Sequence, residues 1–129
     1  MRYEVKTQIL GFEDIKSVEF SEIDNFFATI KSVENESISF SLVNPYALRE
    51  YSFDLPKAAR VLLDINETSN VLVYNIMVVL NPLEESKINF LAPLVFNQDN
   101  GLMGQVVLRA SEHPDFGLAE MIGSFNKVA

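Results

Sequence analysis

Polar and apolar residues alternate from the start of the chain. Tyr3, Val5 and Ile9 are set between Arg2, Glu4, Lys6 and Gln8, the period-two pattern of a half-buried strand, and the run ends at the turn residue Gly11. Ser17 to Phe20 reads as a second short strand. Between Asn25 and Val33 two readings compete. Ile23, Phe26, Phe27 and Ile30 fit helical spacing, whereas the β-branched Thr29, Ile30 and Val33 and the turn-like Glu34-Asn35-Glu36 favour a strand, which is the reading adopted. Ser37 to Leu42 (SISFSL) sets Ile38, Phe40 and Leu42 on one face and three serines on the other, and halts at Asn44-Pro45, where proline denies the ladder an N–H. Glu50 to Leu55 alternates again through Tyr51, Phe53 and Leu55.

After Leu55 the period changes. Pro56 suits a first helical position, and Ala58, Ala59, Leu62, Leu63 and Ile65 form an apolar stripe, predicting a helix of about nine to eleven residues with this stripe, Leu62 included, buried against the sheet. Val71 to Leu80 (VLVYNIMVVL) is apolar on both faces, as expected of a strand covered on both sides. Lys87 to Phe96 (KINFLAPLVF) reads as one strand whose Pro93 implies an edge or a bulge. Asn97 to Gly101 is a hairpin loop, with Leu102 to Leu108 returning beside it. Leu118, Met121, Ile122 and Phe125 recur at helical spacing, which fits a short C-terminal helix that either docks on the domain or reaches a partner. The sum is a mostly β fold: a small antiparallel β-barrel-like domain of seven or eight strands with one central α-helix, spanning residues 1–129 as a single domain.

Charge then narrows the class of partner. Ten basic residues oppose eighteen acidic ones, for a net charge of -8, and the basic residues are scattered: Arg2, Lys6, Lys16, Lys31, Arg49, Lys57, Arg60, Lys87, Arg109, Lys127. A polyanion meets repulsion from such a field, so no direct nucleic-acid binding is expected, and a basic protein suits the surface better. Stacking of bases on Phe26, Phe27, Phe40, Tyr51, Phe53 and Phe90 is disfavoured because they fall on apolar faces. The chain has no Cys, which removes disulfides and thiolate metal sites and fits a cytoplasmic setting. The alternating N-terminus lacks the apolar core of a secretory signal, and no run is long enough to cross a membrane as a helix, so neither export by that route nor membrane insertion is expected.

The chemistry-bearing residues do not assemble into a catalytic pattern. His113 is the sole histidine, next to Pro114 in a polar loop, and no nucleophile-elbow, phosphate-loop or calcium-loop spacing occurs. Glu13-Asp14, Glu34, Glu36, Glu84-Glu85, Asp99 and Glu112 fall at turns, where carboxylates are ordinarily solvated. No cofactor is expected. The reading this leaves open beside a binding protein is a small ligand-binding or hydrolytic β-barrel that uses buried carboxylates.

Five stretches carry a resemblance: Ile9-Leu10-Gly11-Phe12-Glu13, Phe40-Ser41-Leu42-Val43-Asn44-Pro45, Leu72-Val73-Tyr74-Asn75-Ile76, Ile88-Asn89-Phe90-Leu91-Ala92-Pro93-Leu94-Val95-Phe96-Asn97, and Gln105-Val106-Val107-Leu108. In this order and spacing, from about Met1 to Leu118, the chain resembles the flagellar assembly factor FliW family. The resemblance implies a compact cytoplasmic β-barrel-like domain with two partners, flagellin and the translational repressor CsrA. It would sequester CsrA until newly made flagellin displaces it, matching flagellin synthesis to export. The resemblance does not identify contact residues. Loops and sheet edges carry recognition, so the candidates are Asn44, Pro45, Tyr46 and Arg49, taken as an exposed loop, and the edge from Asn89 to Pro93.

Overall fold

The computed structural model describes residues 1–125. Seven strands close into a barrel: β1 (Arg2–Thr7), β2 (Ser17–Glu22), β3 (Phe27–Ser32), β4 (Ser39–Val43), β5 (Val71–Val78), β7 (Leu94–Asn97) and β8 (Leu102–Gln105). Around the barrel the order is β4-β3-β2-β1-β8-β7-β5, and pairing of β4 with β5 completes the ring. Two short strands, β6 (Lys87–Ile88) and β9 (Glu120–Met121), extend the sheet beyond β5.

The ring is mixed, not antiparallel as expected. β1 runs parallel to β8, with Val5 opposite Met103 and Thr7 opposite Gly104, so that Lys6 bulges out of register. Gly104 is needed at this join, because a Cβ there would overlap the Thr7 side chain and come within 2.9 Å of the Thr7 backbone nitrogen. Every other strand pair is antiparallel.

Inward-facing residues of all seven strands fill the barrel: Tyr3, Val18, Phe20, Ala28, Ile30, Leu42, Tyr74, Leu94, Phe96 and Met103 are all buried in one cluster. The alternation in the sequence gives this interior directly. The ambiguous stretch before Val33 is strand β3, as its β-branched residues favoured. By contrast, Glu50 to Leu55 forms no strand despite its alternation; its aromatic residues pack outside the barrel instead.

The helix is also outside. Helix α1 (Lys57–Leu62) is shorter than expected and covers the outer surface of β7 and β8, where Ala59 and Leu63 pack on Leu91, Val95, Val106 and Leu108. It stops because Asp64 takes a left-handed conformation (φ 52°). The Asp64 N–H then bonds to the Val61 carbonyl and the Ile65 N–H to the Arg60 carbonyl, the paired bonds of a Schellman cap. Asn97 and Asn100 of the β7–β8 hairpin donate to the Leu63 carbonyl and fix this end to the barrel. The expected burial of Leu62 is overturned: Leu62 is 47% exposed while Leu63 is fully buried. Ile65, beyond the cap, is partly buried and still packs against the same cluster.

The expected strand from Lys87 to Phe96 is broken by a bulge. β6 and β7 both pair with β5, and between them Asn75 and Ile76 of β5 face the whole excursion from Asn89 to Pro93. The C-terminal helical spacing is likewise not realised as an α-helix. Glu120–Met121 pairs with β6, and Ile122–Ser124 makes a single 3-10 turn. The segment nevertheless docks, with Ile122 buried and Phe125 edge-on to Phe90.

Candidate partner-binding surface

The two candidate loops meet. Asn44 accepts the Tyr46 N–H at 3.0 Å and so caps the single 3-10 turn Pro45–Ala47. Pro45 and Pro93, expected to be exposed or at an edge, are both buried; the Pro93 carbonyl accepts from Val106 N–H and ties the bulge to the chain beyond β8. Tyr46 is exposed and meets Tyr51 edge-on at 5.9 Å. Asn89 is half-buried, accepting Leu91 N–H at its Oδ1.

Arg49 is not free. Its guanidinium lies 5.1 Å from the Phe90 ring centre, 5.0 Å from Phe116 and 5.7 Å from Phe125. It also pairs with Glu120 at 3.3 Å and donates to the Asp115 carbonyl. Glu120 in turn accepts the Gly117 N–H at 2.7 Å. A planar cation suits this place because its faces stack on rings while its edges donate.

Beneath it, the Tyr51 hydroxyl donates to the Phe90 carbonyl at 2.6 Å and accepts from Asn75 Nδ2, which also donates to the Asn89 carbonyl at 2.9 Å. Burial pushes the Tyr51 hydroxyl up to about 12, with the Asn75 hydrogen bond opposing. Asn75 is fully buried, and its Oδ1 has no hydrogen-bond partner among the described residues. The candidate residues thus form a structural knot that holds the bulge and the C-terminal segment together. Tyr46 and the outward side of Asn89 remain accessible.

Next to the knot lies a feature that the sequence reading missed. Pairing between β4 and β5 ends at Ser41 opposite Met77, and beyond it the strands part around a cleft of about 670 Å3 lined chiefly by Leu10, Phe12, Phe40, Ile76, Val79 and Leu118. A second hollow of about 230 Å3 adjoins it, lined by Ile23, Phe27, Met77, Val79 and Leu83. Val79, 54% exposed, stands between them. The large apolar residues of the Ile9–Glu13 stretch were one sign of it, since a turn needs Gly11 but not Leu10 or Phe12.

Carboxylates are placed quite differently. No Asp or Glu is buried among the described residues. The two with clear shifts, Glu34 beside the Ser17 hydroxyl and Asp99 beside the Asn70 amide, are held below the usual carboxylate range by those hydrogen bonds. Among the described residues no group of three or more His, Asp or Glu is placed to hold a metal ion. Among the described residues no helix is long and apolar enough to cross a membrane.

The family model described as FliW protein matches residues 2–118 of this chain. The chain belongs to the FliW family. Its similarity to individual FliW proteins extends over nearly the whole chain. It is 51% identical to Flagellar assembly factor FliW 2 of Wolinella succinogenes, across 97% of this chain and 92% of the relative. It is 50% identical to FliW 1 of the same organism, across 98% and 99%, and 44% identical to the FliW of Sulfurimonas denitrificans, across 98% and 99%. A solved crystal structure of the flagellar assembly factor FliW superposes with a TM-score of 0.84 at 24% identity, covering 94% of this chain and 84% of that one. The mixed seven-stranded barrel is therefore the FliW fold. The matched span takes in the two loops of the knot and most of the cleft.

Proposed function

We propose that this flagellar assembly factor binds flagellin and, when free of it, sequesters the translational repressor CsrA, so that flagellin translation follows filament assembly. The observation that carries the reading is identity of about half to curated flagellar assembly factors over nearly the full chain. Two physical features support it. A net charge of -8 favours encounter with a basic, RNA-binding repressor, and an exposed apolar cleft offers a surface of another kind for a second partner. The protein acts by occupying surfaces and catalyses nothing.

One small domain has little room for two independent interfaces of about 800 Å2 each, so flagellin and CsrA compete. Calorimetry and light scattering on mixtures of the three purified proteins test this. Flagellin displaces CsrA if the reading holds, and CsrA association weakens as salt rises while flagellin association responds less. A stable ternary complex overturns the competition; absence of binding to either protein overturns the reading.

A further inference from the structure

We infer that Asn100 is a site of spontaneous deamidation, held in check by the closed β7–β8 hairpin, and that its conversion unfastens helix α1 from the barrel. The conversion needs water and no partner, so it is independent of the flagellar reading.

Asn100-Gly101 is the one Asn-Gly pair in the chain, and it lies at the tip of the hairpin between β7 and β8, with Asn100 exposed. In such a pair the backbone nitrogen of the glycine attacks the asparagine Cγ. The new N–Cγ bond closes a succinimide as the Cγ–Nδ2 bond breaks and ammonia leaves. Water then opens the ring at either carbonyl. Aspartate results where the ring N–Cγ bond breaks, and isoaspartate where the original peptide C–N bond breaks. The net change is a hydrolysis, in which an amide and a water become a carboxylate and ammonium. Glycine is the most permissive follower, because it has no Cβ to crowd the approach and its backbone bends most freely.

In the closed hairpin both reacting groups are occupied. The Gly101 N–H donates to the Asn97 carbonyl at 3.0 Å. The Asn100 side chain accepts the Leu102 N–H at 3.0 Å and donates from Nδ2 to the Leu63 carbonyl at 3.1 Å. Ring closure has to break these bonds, so it proceeds from a locally opened hairpin. One restraint on that opening is Asn70, whose N–H and Nδ2 both hold the Asp99 carboxylate at 2.9 Å. The products fit the closed hairpin poorly. A carboxylate at position 100 has no hydrogen to give the Leu63 carbonyl, and it sets a negative charge beside the carbonyls that end α1, where negative charge is disfavoured. Isoaspartate goes further, because its extra backbone methylene displaces Gly101. The Gly101 carbonyl accepts the Glu4 N–H at 2.8 Å in the parallel join that closes the barrel.

The test follows the full chain by peptide mass spectrometry during incubation at neutral pH, folded and in guanidinium, with enzymatic methylation of isoaspartate as a second readout. In the unfolded chain Asn100 should convert faster than any other asparagine, and folding should slow it about tenfold or more. Asn70→Ala should speed the folded-state conversion about two- to fivefold, because the hairpin tip loses its bond to Asp99. Asn100→Asp, made directly, reproduces the aspartate product. It should raise amide exchange from Arg60 to Ile65 about fivefold or more while β2 to β4 stay protected. Both substitutions fall at exposed positions and should leave the barrel folded. Slow or absent conversion of Asn100 in the unfolded chain overturns the site. Conversion that folding does not slow, or that Asn70→Ala does not speed, overturns control by the hairpin. Exchange in α1 that Asn100→Asp leaves at the wild-type rate overturns the unfastening.

Discussion

The barrel interior is removed from water and the knot around Arg49 only partly so, and the two are built on opposite terms. Inside the barrel, side chains from seven strands meet with almost no polar atoms, and Tyr3, Phe20, Tyr74 and Phe96 contact one another at angles from 58° to 83°. Such a core is held by area and close fit, and every strand depends on every other. The knot is held by direction: a guanidinium among three rings, a carboxylate on a backbone N–H, a phenol on a carbonyl. Directional bonds fasten particular segments, here the bulge and residues 115–125, without the barrel depending on them. The comparison teaches that this fold separates staying folded from fixing the shape of one side.

Five substitutions probe that separation, each read by denaturant unfolding. Phe96→Ala, at a fully buried position, should cost about 3–5 kcal/mol and lower the whole transition together. Arg49→Ala should cost about 2–3 kcal/mol through lost stacking and the ion pair left broken at Glu120; amide exchange should rise across residues 115–125 while β1 to β3 stay protected. Arg49→Lys should recover only part, having no planar fork to stack and donate at once. If exchange rises everywhere, the knot is core after all.

Tyr51→Phe should cost about 1 kcal/mol by removing the bond to the Phe90 carbonyl. It also has a signature in pH. The folded-state value of Tyr51 is raised to about 12 from 10.0, so the unfolded chain releases its proton first and stability falls as pH rises from about 10 to about 12. The variant should flatten that fall, leaving the part due to Tyr3, Tyr46 and Tyr74, which burial also raises. Leu62→Asp, the smallest expected change, should stay within about 0.5 kcal/mol because the residue faces water. A loss of several kcal/mol there would place Leu62 in the core and undo the account of the short helix.

Alternation made part of the barrel interior legible, since Tyr3 and Leu42 announce their facing by period alone, whereas Ile30 was placed in a strand only by its β-branched neighbours and Phe96 lies in a run buried on both faces. Strand direction is not written in alternation, so the parallel join of β1 and β8 was out of reach. The helix ended early through one left-handed residue, Asp64, a type that tolerates that conformation without requiring it. At the C-terminus the spacing from Leu118 to Phe125 was outweighed by pairing with β6 and by the close seat of Gly123, where a Cβ would lie 2.8 Å from the Glu84 carbonyl. Prolines 45 and 93 were recognised as turn and bulge residues, but burial depends on what folds over them, in both cases distant chain. The cleft was hardest to foresee because six separated segments line it and none is unusual alone.

Closure of the ring by β1 and β8 has a consequence for how the protein is born. Residues 2–7 leave the ribosome long before β8 does, with one strand edge satisfied early by β2 and the other waiting for Leu102–Gln105. At about 5–20 residues per second, that wait is roughly 5 to 20 s, during which β1 is an open template and the interior has no wall on one side. Long-range joins of this kind also slow folding into the millisecond-to-second range. Each molecule therefore becomes competent only once Leu102–Gln105 has been made, and a chain cut short before residue 102 cannot form the closed barrel.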